Sequence, residues 1–326
     1  MKDQYGRIID YMRISVTDRC NLRCRYCMPD GVEQLSMNQI LTYEEIAEIV
    51  RAAAESGIDT FKITGGEPLV RKGCASLIGM LKQIPGVRQV TLTTNGVLLA
   101  EKLPGLMQNG LDAVNISLDT TDARKFREIT GFDALRDVIE GIDAAAAAGI
   151  PVKINVVPQR AVNEEEWEKL VLFAKDRPID VRFIEMMPIG LGKTACSVSE
   201  AEVRAQLTAV YGELKPAEEK RGNGPARYAE IPGFAGRIGF ISAIHGKFCD
   251  SCNRIRLTSQ GKLKPCLCYG DTVDLMEVLR GGFDPEVKAG MLRLKLEEAV
   301  RMKPQSHCFE DPSVVTEDKH MSQIGG

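Results

Sequence analysis

Ten cysteines stand in this 326-residue chain, and their spacing is where chemistry is legible. Cys20, Cys24 and Cys27 form C-x3-C-x2-C; Cys249 and Cys252 form C-x2-C and are followed by Cys266 and Cys268; Cys74, Cys196 and Cys308 are scattered. With no secretion signal in view the thiols are expected to be reduced, so grouped cysteines point to metal or redox chemistry rather than to a disulfide scaffold. A structural zinc wants four ligands, yet no fourth Cys and no His lies near the first group, the histidines being His245, His307 and His320. Three thiolates suit a four-iron cluster with one iron left open, and an open iron can hold a small molecule. The second group is ambiguous: Cys249, Cys252 and Cys266 could hold another open cluster, or Cys268 could join them in a zinc ribbon. Arg254 and Arg256 alternate along a strand-like run beside it, which puts both guanidinium groups on one side, toward an anion or a nucleobase.

Other residues with chemical potential sit at the ends of strand-like runs. Thr64-Gly65-Gly66-Glu67-Pro68 offers two glycines where a ligand could approach the backbone and a carboxylate that could meet an ammonium. Lys153 and Arg182 are cations inside strand patterns, which must emerge into a polar cavity or be paired. The strands that position them are expected at Tyr11–Thr17, Thr60–Thr64, Gln89–Thr94, Ala113–Leu118, Val152–Val157 and Val181–Glu185. Helical patterns alternate with them: Thr42–Ser56 opens on a capping box of Thr42 and Glu45 and closes at Gly57, and Arg136–Ala148 closes at Gly149. Repeated strand-helix units give parallel strands, hence an open doubly wound sheet or a partial barrel, since six units fall short of eight.

Beyond about residue 186 the rhythm gives way to Gly- and Pro-containing stretches and the second cysteine group. Helical patterns follow at Val273–Leu279 and Pro285–Val300, and the polar stretch Lys303–Gly326 is expected to be disordered on composition. The chain thus divides into a core, 1–220, and a second region, 221–326. Charged residues make up 27% and the net charge is −3, which excludes a nucleic-acid-coating surface, and no apolar run is long enough for a membrane span. A cytoplasmic enzyme is the expectation, with a homodimer left open.

The motif C-x3-C-x2-C directly after a strand resembles the cluster-binding signature of the radical S-adenosylmethionine superfamily, and GGEP after the second strand resembles its site for the methionine amino group. The set ISVTDRCNLRCRYCMP, ITGGEPLVRK, LTTNG, NISLDT, RFIEMMPIG, FCDSCNRIRLTSQGKLKPCL and the closing Gly325-Gly326 is similar, over essentially the whole chain, to the GTP 3′,8-cyclase family of molybdenum cofactor biosynthesis. The resemblance implies an α/β fold, a partial (βα)6 TIM-type barrel whose mouth is closed by a cluster-bearing C-terminal region. It implies two [4Fe-4S] clusters, the first on Cys20, Cys24 and Cys27 and the second on Cys249, Cys252 and Cys266. It further implies a lyase: a 5′-deoxyadenosyl radical made from S-adenosylmethionine takes the C3′ hydrogen of GTP, C3′ joins C8, and 3′,8-cyclo-7,8-dihydro-GTP passes to cyclic pyranopterin monophosphate synthase.

Carried over by position, S-adenosylmethionine would meet Tyr26, Gly66, Ser117 and Met187. GTP would meet Arg13, Lys62, Thr93, Lys153 and the Arg254-Ile255-Arg256 segment. Arg182 would quench the aminyl radical, and Gly325 and Gly326 would thread toward the substrate. Lys62 departs from the arginine frequent in the family, exchanging a bidentate fork for a point charge. Two other readings stand beside this one. A radical peptide-modifying enzyme with an auxiliary cluster would have no need of Arg254, Arg256 or the closing glycines, and a non-catalytic iron-sulfur or zinc protein would cleave nothing.

Overall fold

In the computed structural model the described residues are 1–31, 35–194, 197–219 and 221–324. The six expected strands are present as β1 (Tyr11–Ser15), β2 (Thr60–Thr64), β3 (Gln89–Thr94), β4 (Ala113–Ser117), β5 (Val152–Val156) and β6 (Asp180–Ile184). Six more follow: β7 (Lys215–Pro216), β8 (Arg227–Glu230), β9 (Ile238–Ile241), β10 (Arg254–Leu257), β11 (Lys262–Lys264) and β12 (Val273–Asp274). The first six run parallel in chain order, and the second region adds one parallel strand at each edge, β10 beside β1 and β9 beside β6. Antiparallel β11 and β12 extend one end and β8 and β7 the other, so β9 and β10 do not meet among the described strands and the arc stays open, as a partial barrel.

The helices α1 (Tyr43–Glu55), α2 (Cys74–Lys82), α3 (Leu99–Gln108), α4 (Ala123–Thr130), α5 (Leu135–Ala147), α6 (Trp167–Leu170), α7 (Glu200–Tyr211), α8 (Met276–Arg280) and α9 (Pro285–Arg301) complete the layout. The capping box of α1 forms as its residues dictate: Glu45 N–H donates to Thr42 Oγ1 at 3.1 Å and Thr42 N–H to Glu45 Oε2 at 2.7 Å, a pair of bonds that satisfies end groups for about 1 kcal/mol. No helix among the described residues is long and apolar enough to cross a membrane.

Strand alternation sorts the side chains into two environments. Met12, Ile14, Phe61, Ile63, Val90, Leu92, Val114, Ile116, Ile154 and Val156 all lie in the main core. The residues between them, Arg13, Lys62, Thr91, Thr93, Asn115, Ser117, Lys153 and Asn155, therefore share the opposite, inner face. A period of two along every strand thus builds a polar, cation-bearing interior within an apolar shell.

Two expectations are corrected. The pattern Val273–Leu279 is not one helix, because its first two residues pair as β12 with β11 and only Met276–Arg280 is helical. The 303–324 stretch is ordered rather than disordered: Lys303, His307, Phe309, Val315, Glu317, Ser322 and Ile324 are buried. Its few apolar residues join Ile189, Ala243, Leu267 and Cys268 in a second small core, and the buried Lys264–Glu317 ion pair ties it to β11. Composition averages over this segment and misses that its apolar residues are sparse but concentrated on one docking face. Gly325 and Gly326 lie outside the described residues, as does Cys196.

Candidate functional site

A cavity of about 340 Å³ opens at the carboxyl ends of the strands and is lined by both cysteine trios: Cys20, Cys24, Cys27, Cys249, Cys252 and Cys266. The first trio sits on the loop after β1, where Cys27 N–H and Met28 N–H both donate to Cys24 O at 2.9 Å and wind the loop into a tight turn. Burial pushes all three thiols up, Cys24 well above the usual range with Asp119 adding to the effect, and Cys27 to about 11. Deprotonated sulfurs in that setting need a positive centre.

Among the described residues no three His, Cys, Asp or Glu form a set that could hold a single metal ion. Each trio that lines the shared space has the donor set of a multi-iron body whose irons each take one thiolate. Cys268 sits apart: it is buried, its sulfur lies 2.7 Å from that of Cys308, and it does not line the cavity. The zinc-ribbon alternative loses its fourth ligand there.

The Gly65-Gly66 pair has a reason different from the expected one. A Cβ on Gly65 would stand 2.5 Å from Thr17 O, and one on Gly66 would stand 2.4 Å from Arg19 O and 2.5 Å from Asp18 O. What approaches these glycines closely is the protein's own cysteine loop, bound by Gly66 N–H to Thr17 O at 2.7 Å and Glu67 N–H to Arg19 O at 2.8 Å. The Glu67 carboxylate is also not offered to a ligand. It accepts from Leu69 N–H, Thr94 Oγ1 and Asn95 N–H at 3.0, 2.7 and 2.7 Å, and burial raises its pKa to about 7. Its role is to lock the β2 and β3 ends together.

Tyr26, Gly66, Ser117 and Met187 all line the cavity. Two neighbours went unassigned in the sequence: Asp119, whose Oδ2 accepts from the Tyr26 hydroxyl at 2.7 Å while Oδ1 accepts from Val157 N–H at 2.8 Å, and Asn95, whose Nδ2 is 3.7 Å from Cys20 Sγ. Both stand inside the quoted motifs NISLDT and LTTNG, but no local pattern says which side chain they serve.

Arg13, Thr93, Arg254 and Arg256 line the same cavity. Lys62, Lys153 and Arg182 stand deeper on the inner face, and Arg13 faces Lys62 across β1–β2 and Arg256 across β1–β10. Lys62 is held well below the ordinary lysine range by burial, then by Arg182, Arg13 and Lys153. Lys153 is pushed down to about 8 by burial, with Arg182 adding, although it donates to Arg221 O and Tyr228 Oη at 3.0 Å. Arg182 donates from Nε to Asn155 Oδ1 at 3.0 Å, and Gly239 leaves it space, since a Cβ there would stand 2.8 Å from Arg182 Cγ. Ile255 alone of the assigned segment turns the other way, its side chain in the main core; any contact with a ligand falls to its backbone. Cations crowded inside a cavity and lowered by one another are arranged for a polyanion.

Partial-barrel topology, a cysteine trio after the first strand and glycines packed against it define a radical S-adenosylmethionine protein, and the superfamily's sequence profile matches residues 14–174. The profile described as Molybdenum Cofactor Synthesis C matches residues 179–309. Among solved structures, Streptococcus suis SuiB bound to S-adenosylmethionine shares the fold, with a TM-score of 0.63 at 15% identity over 88% of this chain and 68% of that one. The GTP 3′,8-cyclases of Pelotomaculum thermopropionicum and Alkaliphilus oremlandii are 44% and 43% identical to the chain over the full length of both partners. The chain belongs to the GTP 3′,8-cyclase family.

Proposed function

We propose that this chain is a GTP 3′,8-cyclase that converts GTP to 3′,8-cyclo-7,8-dihydro-GTP, the first step of molybdenum cofactor biosynthesis, and that it does so as a lyase. The observation that carries the reading is one cavity bounded by two cysteine trios and lined by Arg13, Arg254 and Arg256, with Lys62, Lys153 and Arg182 behind them on the inner face of the strands. Cys20, Cys24 and Cys27 would hold the first four-iron cluster, which when bound supplies the electron for cleaving S-adenosylmethionine. Cys249, Cys252 and Cys266 would hold a second cluster facing the guanine. The same division puts the radical-generating core in residues 1–220 and the second cluster with the closing Gly-Gly pair in 221–326.

The chain's own residues supply position and charge. Asp119 orients the Tyr26 ring through its hydroxyl, as an adenine partner needs, with Ser117, Gly66 and Met187 alongside. Arg13, Lys62, Thr93 and Lys153 would take the triphosphate, and Arg254, Ile255 and Arg256 the base and ribose. Arg182, steadied by Asn155, would stand at the aminyl radical. The product would pass to cyclic pyranopterin monophosphate synthase. The test is anaerobic: the reconstituted protein with dithionite and S-adenosylmethionine should form 5′-deoxyadenosine in a GTP-dependent manner. Formation that ignores GTP would overturn the reading, and so would zinc without iron in the purified protein.

Two further results are expected. Because the Lys153 ammonium in the free protein titrates near pH 8, GTP should bind progressively more weakly as pH rises from 7 to 9, and Lys153→Arg should flatten that profile in equilibrium binding. The sign for folding is opposite. The unfolded lysine keeps its proton to about 10.5 while the folded one loses it, so this residue makes the fold more stable as pH rises through that window. Removing Gly325 and Gly326 should leave the iron content intact yet suppress cyclisation, read as product formed per S-adenosylmethionine cleaved.

A further inference from the structure

Two lysines are buried almost completely, Lys264 and Lys303, each with 2% of its surface exposed. Lys264 pairs with the equally buried Glu317. Lys303 has no carboxylate within ion-pair distance among the described residues. Its ammonium donates to Arg254 O at 2.8 Å and Pro265 O at 3.0 Å, and its remaining direction points at Cys252 Sγ, 3.7 Å away. An ammonium taken out of water with only carbonyl dipoles around it costs several kcal/mol, and such a charge persists where an anion faces it. The anion that faces it is the thiolate of Cys252, with Cys266 as its neighbour.

The segment that carries Lys303 is held for this task. Arg7, itself buried, donates to Pro304 O at 2.7 Å, to Gln305 O at 2.9 Å and to Cys249 O at 2.8 Å, while His307 N–H donates to Cys249 Sγ at 3.3 Å. Residues 303–307 thereby wrap the second trio, giving one sulfur a charge-assisted donor and another a backbone donor. An oxidised four-iron core with three thiolates carries one net negative charge and reduction adds another, so a fixed ammonium balances the first and favours the second.

We propose that Lys303 is the counter-ion of the second cluster, a positioning residue whose fixed charge holds the Cys252 side of that cluster in the barrel and raises its reduction potential. The inference rests on the reading that Cys249, Cys252 and Cys266 hold a cluster, and the experiment separates the two. In full-length protein with Cys20, Cys24 and Cys27 replaced by serine, only the second centre remains. This parent is expected to bind about four irons per chain after reconstitution. Lys303→Met in the same background should either lose iron or shift the potential from an EPR-monitored dithionite titration to a more negative value, and Lys303→Arg, which keeps the charge, should restore the parent's behaviour. A parent that binds no iron overturns the second centre, and the role of Lys303 with it. A parent with iron and a Lys303→Met variant of unchanged iron content and potential overturns Lys303 alone, as does a Lys303→Arg variant as impaired as Lys303→Met.

Discussion

Replacing Cys24 by serine is expected to reduce S-adenosylmethionine cleavage at least about a hundredfold, since even the loss of an outer partner at a metal site costs 10–100-fold. Cys24 is the middle of the trio, and its carbonyl accepts two backbone bonds at 2.9 Å that form the turn bringing Cys27 back beside it. Serine leaves that backbone intact and removes only the soft, ionisable sulfur. The iron content should fall by about four per chain, the share of one cluster. Retention of the parent's iron and 5′-deoxyadenosine yield would remove Cys24 from the ligand set.

Gly66→Ala should be nearly as damaging without replacing any cysteine. Its new methyl would stand 2.4 Å from Arg19 O and 2.5 Å from Asp18 O, both backbone atoms of the cysteine loop with no flexible side chain to give way. Something must move by roughly 1 Å, and displacement of that size at a reacting centre costs about a hundredfold in rate, with overpacking adding roughly 1–3 kcal/mol of lost stability. Gly290→Ala is the matched control, because a Cβ there meets nothing within 4 Å and α9 is helical; it should be neutral or slightly stabilising. Thermal melting and anaerobic turnover of the two variants check the contrast. A Gly66→Ala protein with normal turnover would show that the two loops need not be in contact.

Legibility varied with range. The six barrel strands were readable because each is a short, β-branched run set between longer helical patterns. The cysteine trios were readable because their members are close in sequence and all six line the cavity. The radical peptide-modifying alternative is answered by sequence, since the chain is 44% identical to a GTP 3′,8-cyclase over the full length of both. Glu67 was misread for want of its partners: in sequence it is a carboxylate beside two glycines, and only the fold supplies Thr94 and the Asn95 N–H that use it up.

Residue types and spacings by themselves determined the parallel strand-helix plan, the two groupings of cysteines and the alternation that turns Arg13, Lys62 and Lys153 to one face. These are properties of short stretches, governed by periods of two and 3.6 and by ligand spacing. Tertiary structure alone decided that β9 and β10 extend the arc at its two edges, that the stretch after α9 is ordered, and that Asp119 serves Tyr26. It also decided that Lys303 meets Cys252, 51 residues away. Burial is the physical reason. Whether a lysine is a solvated surface charge or a buried cation facing a cysteine sulfur depends on what packs over it, and contacts that distant in sequence leave no mark on local pattern.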